Sequence, residues 1–474
     1  MKRNRLKKAR KKQKKNEKYT EPPTSLSDSA LRLLRTIDRN RFIFVVLLIL
    51  FLLLGTHIRL NFKRQWPLWF QMQHLNPDAK LYYSLAQNLV DGTGYFDTCR
   101  NQELVPSVGH PVLLAFFCVI LGLSPATFTW VFLFSSFVIL AIAIRIYIGS
   151  NILTICALWL YAGFFAHIRW LSANVECSVV LANVILIFCL IYFYKNNFQV
   201  LWAVISGAAL ATHLLIRPLY LFPTHICFII LLGAVLYFCL RKRLWEIPKF
   251  VQGWFLLLAT AEAILFLTSS YSQIRYSDSR LVTGTYGAYS LFRANNIYLD
   301  PEAKFNSRAK HPEEFDKVYA SIAYNPELDW KQRQKKFMQQ AINYCKSHPG
   351  RALRGWWWRF RQFIGIYSGN FSWKQPLTVM HAISASTLFI LIFIRMIAVR
   401  ISKEKKMRLI YSAGLPLAAL FIVYSAIHAL FTYSEFRYVA VIIPLLVASN
   451  FILLFETREI FVKLWSAVIS FSPK

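Results

Sequence analysis

Asp78 is the residue whose position is most easily connected with chemistry. It begins a short helix in the segment from Asn76 to Phe96, which follows the first membrane-length apolar run of the chain. The spacing predicts a short helix here, with Tyr82 and Tyr83 on its apolar side and Gly92 at its end. Aromatic-rich helices that follow a span lie in the lipid headgroup layer rather than cross it. A carboxylate held at that boundary is well placed to act on a lipid-borne substrate, which points towards an enzyme.

Four further ionisable residues map to the same membrane face as Asp78 when the apolar runs are threaded through a bilayer. They are Glu176, Arg217, Glu435 and Arg437. Ionisable side chains at membrane depth are costly and call for a named role. Ionisable residues distributed at random would occur on both faces of the membrane. Their convergence on one face is typical of an active site rather than of a conduction path.

Each of these residues also has a structural interpretation. Arg217 or Arg437 could anchor a helix end by snorkelling, and Glu176 could form a structural ion pair. Asp78 could simply favour the dipole of a helix that begins at Pro77.

Metal binding is a weaker interpretation of the polar residues. The ten histidines, His110 among them, fall on the outer side or in outer half-spans. No H-E-x-x-H or comparable spacing occurs, so no metal site is predicted. A divalent metal stays an open alternative, and Glu262, deeper in a span, could serve either helix packing or the site.

Composition sets the class of protein. The chain is 56% hydrophobic and 16% aromatic, yet its net charge is +32, which fits a polytopic membrane protein with basic cytoplasmic loops. Eleven of the first eighteen residues are Lys or Arg. Nucleic-acid binding is one interpretation of that run. We favour a disordered cytoplasmic tail attracted to anionic lipid, and no nucleic-acid partner is predicted.

The fold class expected is an all-α polytopic membrane protein with about ten transmembrane helices. Charge-poor runs of sufficient length centre on 42–60, 125–148, 151–167, 171–194, 199–216, 218–240, 250–270, 377–398, 408–430 and 437–456. The shorter run 111–123 is interpreted as a re-entrant or interfacial helix. With ten spans, both termini are cytoplasmic and the basic clusters face inward, as the positive-inside rule requires.

This topology divides the chain into four parts and leaves two large insertions outside. The parts are a basic tail (1–41), an N-terminal transmembrane module (42–270) that includes a first outer loop with interfacial helices (61–124), a mixed but mainly helical second outer segment after the seventh span (271–376), and a C-terminal transmembrane module (377–474). The second outer segment is predicted to start extended at 290–301 and to contain a helix at 330–347. Cys99 and Cys345 lie in polar segments and could pair in an oxidising space.

The order of these motifs resembles the GT-C class of multi-spanning glycosyltransferases, which draw sugars from polyprenyl-phosphate carriers. It is most similar to the bacterial branch related to protein O-mannosyltransferases and the lipid A aminoarabinose transferase. The first-loop motif is present as Asp78, Tyr82, Tyr83, Ala86, Leu89, Gly92, Gly94 and Tyr95. The later motifs are Gly109 to Ala115, Glu176, Arg217 with Pro218, Asn295 with Asn296, His348 to Arg351, and Arg437 with Tyr438.

The resemblance implies an inverting sugar transfer at the outer face of the bacterial inner membrane. The donor would be a polyprenyl-phosphate sugar, the acceptor an envelope lipid, glycan or protein, and no cofactor is required. It implies Asp78 as general base, with Arg437 and then Arg217 binding the donor phosphate. The further substrate-site candidates are Glu176, Tyr82, Tyr83, His110, Asn295 and Asn296. Several relatives carry a second acid where this chain has Ala79, so the role of that acid does not transfer.

Two other functions fit parts of the pattern. A transporter or flippase of lipid-linked glycans would occupy the same membrane, but such proteins usually show paired repeats and broken helices at mid-membrane, and this sequence shows neither. A polymerase or ligase that joins whole oligosaccharides would share the carrier chemistry without requiring the Asp78 motif.

Overall fold

The protein is described by a computed structural model that covers residues 36, 38–50, 77–93, 95, 107–166, 175–241, 246–276, 286–298, 312–365, 376–401, 412–431 and 436–470. This part of the chain is 88% helical and contains no strand. The prediction of an all-α protein is therefore confirmed.

Sixteen α-helices are numbered here in chain order. They are α1 Arg41–Leu50, α2 Pro77–Val90, α3 Gly109–Leu114, α4 Pro125–Ile148, α5 Asn151–Ala166, α6 Val175–Lys195, α7 Val200–Ile216, α8 Leu221–Leu240, α9 Lys249–Tyr276, α10 Tyr286–Ala294, α11 Pro312–Ala323, α12 Trp330–Ser347, α13 Pro349–Phe363, α14 Pro376–Ile401, α15 Gly414–Phe431 and α16 Phe436–Ser470. A π-helical stretch, Ala115–Ile120, continues α3, and a single 3-10 turn, Pro218–Tyr220, separates α7 from α8.

Within the described ranges, six helices are long and apolar enough to cross a membrane. The qualifying stretches are Thr127–Ile148, Val175–Lys195, Leu221–Leu240, Lys249–Ile274, Thr378–Ile397 and Val441–Arg458. Five shorter apolar helices accompany them: Arg41–Leu50, Gly109–Ile120, Asn151–Gly163, Val200–Ile216 and Gly414–Leu430. A membrane-embedded protein follows from these lengths, whereas the count of ten spans stays a prediction.

Local sequence signals mark several helix ends. Ser124 precedes α4, and its hydroxyl accepts a hydrogen bond from the Thr127 amide at 3.1 Å, while Gly149 ends the helix with a φ of 76°. Asp329 begins α12 through a reciprocal capping box with Gln332. The predicted helix at 330–347 is confirmed by these bounds.

The core of the bundle is built around α6, which is apolar on all sides and packs against α4, α7 and α16. In the membrane-length stretch of α6, 78% of the residues are buried, compared with 6% in the stretch of α8 at the periphery. An apolar helix without a polar face needs neighbours on every side or lipid. The side-chain amide of Asn183 in α6 donates to the carbonyl oxygen of Val441 in α16 at 2.8 Å. The most enclosed helix thus depends on the last helix of the chain.

Glu456 forms a polar cluster at the end of the bundle where α4, α14 and α16 meet. Its carboxylate accepts hydrogen bonds from the hydroxyls of Tyr147 and Ser412. Arg395 lies 3.9 Å from the same carboxylate and donates to the Glu456 carbonyl oxygen at 3.3 Å. Because Lys195 at the end of α6 donates to the carbonyl oxygen of Ile146 at 2.9 Å, α6 ends on this side as well.

Gly207 allows α7 to approach α9 very closely. A Cβ atom at this position would overlap the Leu257 carbonyl oxygen. We expect Gly207→Ala to lower the stability of the detergent-solubilised protein by about 1–3 kcal/mol, because backbone atoms must move apart. Gly233→Ala in α8 is the matched control, since nothing lies within 4 Å of its Cβ position. Equal thermal unfolding temperatures for the two variants would contradict this packing.

The first outer loop is fixed to the end of α7. The Ser107 hydroxyl donates to the Ile216 carbonyl oxygen at 2.7 Å. A Cβ atom at Gly109 would lie 2.7 Å from the Ile216 nitrogen, so only glycine fits this approach. The helix α2 packs on α3 and on the π-helical stretch that follows it. The segment that carries Asp78 is therefore attached next to Arg217.

The second outer segment differs from the prediction at its start. Residues 290–294, expected to be extended, belong to the helix α10. Ala288 and Phe292 lie four residues apart and are both buried against Phe337 and Ala341 of α12. This spacing is helical, and the apolar surface of α12 determines the conformation.

Candidate functional site

Asp78 is the second residue of α2, and its side chain lies outside the described part of the structure. Tyr82, one turn later on the same helix, contacts the His110 ring edge-on, with the ring centroids 4.8 Å apart. Tyr83 packs on the apolar cluster around Leu114 and Phe128. Partial burial raises the pKa of the Tyr83 phenol above its ordinary value.

His110 connects the first outer loop to α6. The imidazole is fully buried, and its Nδ1 atom lies 2.8 Å from the Ser178 hydroxyl. Ser178 is two residues from Glu176 on the same helix. Tyr82 and His110 are therefore in contact with each other and with the start of α6, the helix that carries Glu176.

The buried Glu176 forms an ion pair with the partly exposed Arg217 at this end of the bundle. The Arg217 Nη1 atom lies 3.7 Å from the Glu176 Oε1 atom. That separation is an ionic contact rather than a hydrogen bond, which requires about 3.2 Å or less. Arg217 ends α7 with an extended backbone (φ −150°), and its amide donates to the His213 carbonyl oxygen at 2.8 Å. The guanidinium is thus placed by the break between α7 and α8.

His428 of α15 is the third member of this group. Its Nε2 atom lies 3.4 Å from the Arg217 Nη2 atom. The imidazole stacks on Tyr424 at 4.8 Å and contacts the ring of Phe363 at 5.3 Å. One guanidinium, one carboxylate and one imidazole therefore meet from three separate parts of the chain.

His213 lies one turn before Arg217 and is fully buried. Neither of its ring nitrogens makes a hydrogen bond to any residue that the structure describes, and its ring packs on Tyr220 at 5.1 Å. Buried polar atoms are nearly always satisfied, so His213 adds an unpaired imidazole to the wall behind Arg217 among the described residues.

Arg359 of α13 was missed by the sequence reasoning. Its guanidinium is buried and donates to the carbonyl oxygens of Ala429 at 2.7 Å and Ala294 at 2.9 Å, and to the Asn295 Oδ1 atom at 3.2 Å. Burial lowers its pKa to about 10, which still leaves the side chain charged at neutral pH. Arg359 therefore joins α10, α13 and α15 beside His428.

We expect Arg359→Met to lower the free energy of unfolding by about 2–4 kcal/mol, because three buried acceptors lose their donor. Thermal unfolding of the purified protein in detergent measures the loss. Arg361→Met on the same helix is the control, since that side chain is only half-buried. An equal loss for the two variants would show that the bonds of Arg359 contribute little.

The two asparagines of the second outer segment have different roles. Asn295 accepts from Arg359 and donates to the Leu430 carbonyl oxygen at 2.9 Å, so it lies in the wall behind His428. The Asn296 amide donates to the carbonyl oxygens of Phe292 and Arg293 and accepts from the Tyr298 amide. Its bonds close the end of α10, which is a structural role.

Other candidates are not joined to this group by any described contact. Glu262 of α9 pairs with His225 of α8 at 2.6 Å. Arg437 is the second residue of α16, but its side chain, like the whole of Glu435, lies outside the described residues. The same is true of Cys99, so its pairing with Cys345 is untested. Within the described ranges, no group of three His, Cys, Asp or Glu side chains could hold a metal ion.

The assembled site combines a fixed positive charge with hydrogen-bonding side chains in a buried setting. A guanidinium that cannot be neutralised at physiological pH is suited to phosphate oxygens. Its proximity to the Asp78 helix follows from the attachment of the first outer loop at Ile216. No protein-family model, no curated protein and no solved structure matches the chain.

Proposed function

We propose that the protein is an integral membrane glycosyltransferase that uses a polyprenyl-phosphate sugar as donor. The acceptor is an envelope lipid, glycan or protein, and transfer takes place at the outer face of the bacterial inner membrane. The observation that carries the proposal is the partly buried Arg217 guanidinium, held beside Glu176 and His428 at the point where the Asp78 loop is attached. This attachment supports a phosphate-binding cation and a candidate base that act at the same end of the bundle.

The proposed topology has ten spans, with the four short apolar helices α1, α5, α7 and α15 added to the six long ones. Helices of 10–17 described residues are shorter than the hydrocarbon thickness requires. A span shorter than the hydrocarbon thickness is accommodated by local thinning of the bilayer. The basic tail then keeps the N-terminus cytoplasmic, and Arg217 faces outward.

The proposed reaction is a single displacement with inversion. The Asp78 carboxylate takes the proton of an acceptor hydroxyl, and the hydroxyl oxygen attacks the anomeric carbon. The bond between that carbon and the phosphate oxygen breaks, and its electron pair leaves with the polyprenyl phosphate. Arg217 and Arg437 stabilise the charge that develops on the phosphate oxygens. Glu176 and His428 hold the Arg217 guanidinium in place.

The test begins with mass spectrometry of lipid-linked sugars and envelope glycans in a deletion strain. We expect a polyprenyl-phosphate sugar to accumulate and one glycan residue to be missing, because the donor is no longer consumed. The purified full-length protein in proteoliposomes should then release polyprenyl phosphate from that donor when the acceptor fraction is added. Movement of the intact lipid-linked sugar between leaflets, without cleavage of the sugar bond, would instead identify a transporter.

A further inference from the structure

The helices α12 and α13 carry an unbroken excess of positive charge. Between Trp330 and Phe363 the sequence contains nine cations and no acid. The cations are Lys331, Arg333, Lys335, Lys336, Lys346, Arg351, Arg354, Arg359 and Arg361. The preceding helix α11 differs, because it contains Glu313, Glu314 and Asp316 beside a single lysine. From α11 to α13, the positive charge is therefore concentrated on the last two helices.

We propose that α12 and α13 form a docking surface for anionic phospholipid headgroups. Lys335, Lys336, Lys346 and Arg354 are exposed and form no ion pair within the parts of the chain that are described. Each lysine or arginine near an anionic bilayer surface strengthens binding by about fivefold. The cations are thus available to phosphate groups rather than engaged within the fold.

Apolar side chains are interleaved with these cations. Lys335, Met338, Ile342 and Lys346 recur at intervals of three and four residues, so they lie on one face of α12, and all four are exposed. A soluble polyanion would neutralise the lysines but leave this apolar surface in water. A phospholipid can bind both kinds of side chain. Its phosphate pairs with the ammonium groups, and its glycerol and acyl region covers the apolar atoms.

The helix α13 repeats the same combination. Leu353 is 64% exposed and Trp357 48% exposed, and both flank the exposed Arg354. Tryptophan is typical of the membrane interface, where its ring lies among the headgroups. Two consecutive helices therefore present matched apolar and cationic surfaces, which favours a bilayer over a protein partner.

This surface leads directly into the candidate site. Three turns after Pro349, α13 buries Arg359, and at its end Phe363 contacts His428. A phosphate-bearing lipid held on α12 and α13 would therefore lie along the helix that supports the Arg217 group. The lipid surface itself does not depend on the proposed sugar transfer.

The experiment is hydrogen–deuterium exchange of the full-length protein in lipid nanodiscs, read at peptide resolution. One set of nanodiscs contains phosphatidylcholine alone, and the other contains increasing fractions of phosphatidylglycerol. We expect amides of residues 331–363 to exchange more slowly as phosphatidylglycerol increases, while those of α11 remain unchanged. Peptide resolution keeps this effect separate from lipid binding by the basic N-terminal tail.

The decisive variant is the triple substitution Lys335→Gln, Lys346→Gln and Arg354→Gln. At about fivefold for each cation, the variant should need on the order of a hundredfold more phosphatidylglycerol to show the same slowing of exchange. No slowing is therefore expected at the lipid compositions that nanodiscs allow. The matched control replaces three exposed cations elsewhere, Arg241, Lys249 and Lys317, by Gln and should keep the response.

Three results would overturn the proposal. One is equal exchange of residues 331–363 in the two lipids, and another is an undiminished response in the triple variant. The third is the same slowing in phosphatidylcholine nanodiscs on addition of inorganic phosphate, which would indicate a site for free anions. Each can occur whether or not sugar transfer is found, so failure here is distinguishable from failure of the proposed function.

Discussion

Sugar transfer is expected to fall by about 10²–10⁴-fold when Asp78 is replaced by Asn, because the acceptor hydroxyl loses its proton acceptor. The substitution keeps the size and polarity of the side chain at the second position of α2. Protein level and thermal unfolding should therefore stay close to those of the wild type. The measurement is the initial rate of label transfer from the polyprenyl-phosphate donor in proteoliposomes.

Asp91→Asn is the matched control for this experiment. Asp91 is an exposed acid directly after the other end of α2, so it tests the same helix and the same change of charge. Near wild-type transfer is expected. If Asp78→Asn also retained most of the activity, Asp78 would be a helix-dipole residue, and the base would have to be sought elsewhere in the first outer loop.

The second large effect is expected at Arg217. Its replacement by Gln should lower transfer by about 10²–10³-fold, as for other fixed groups that stabilise developing negative charge. It should also lower stability, because Glu176 is left as an uncompensated buried charge. Arg217→Lys should restore stability but little activity, since a lysine cannot reproduce the two-pronged contact with phosphate.

The double variant Glu176→Gln and Arg217→Gln separates the two effects. Removing both charges eliminates the uncompensated carboxylate, so the unfolding temperature should recover. Transfer should remain low, because no cation replaces the guanidinium. Recovery of transfer together with stability would show that Arg217 serves only as the counter-ion of Glu176.

The sequence predicts the fold where nearby residues alone determine the secondary structure. The helix of residues 330–347 was expected from the sequence, and the structure gives the same bounds, with Asp329 capping its start and Pro349 following its end. The expected extended start of the second outer segment was wrong. There, the apolar surface of α12 selects a helix for Ala288 and Phe292, and that surface is not visible from the segment itself.

The site could be predicted in part. Glu176 and Arg217 were both selected from the sequence for their cost at membrane depth, and the structure brings them together. Arg359 could not be selected, because it resembles the other arginines of α13. Its burial arises from contacts with residues about 65 to 70 positions away in the chain. His428 likewise gains its role only through the fold, from a contact 211 positions away.

The enclosure of α6 by α16 bears on how the chain is made. Asn183 and its acceptor at Val441 are separated by 258 positions. At a synthesis rate of about 5–20 residues per second, roughly 10–50 s pass between the emergence of the two. During that interval α6, with Asn183 and Glu176, stays beside lipid or insertion machinery without its final neighbour. A nascent chain stalled before α16 should consequently be a substrate for membrane quality-control proteases, even though most of its helices are already inserted.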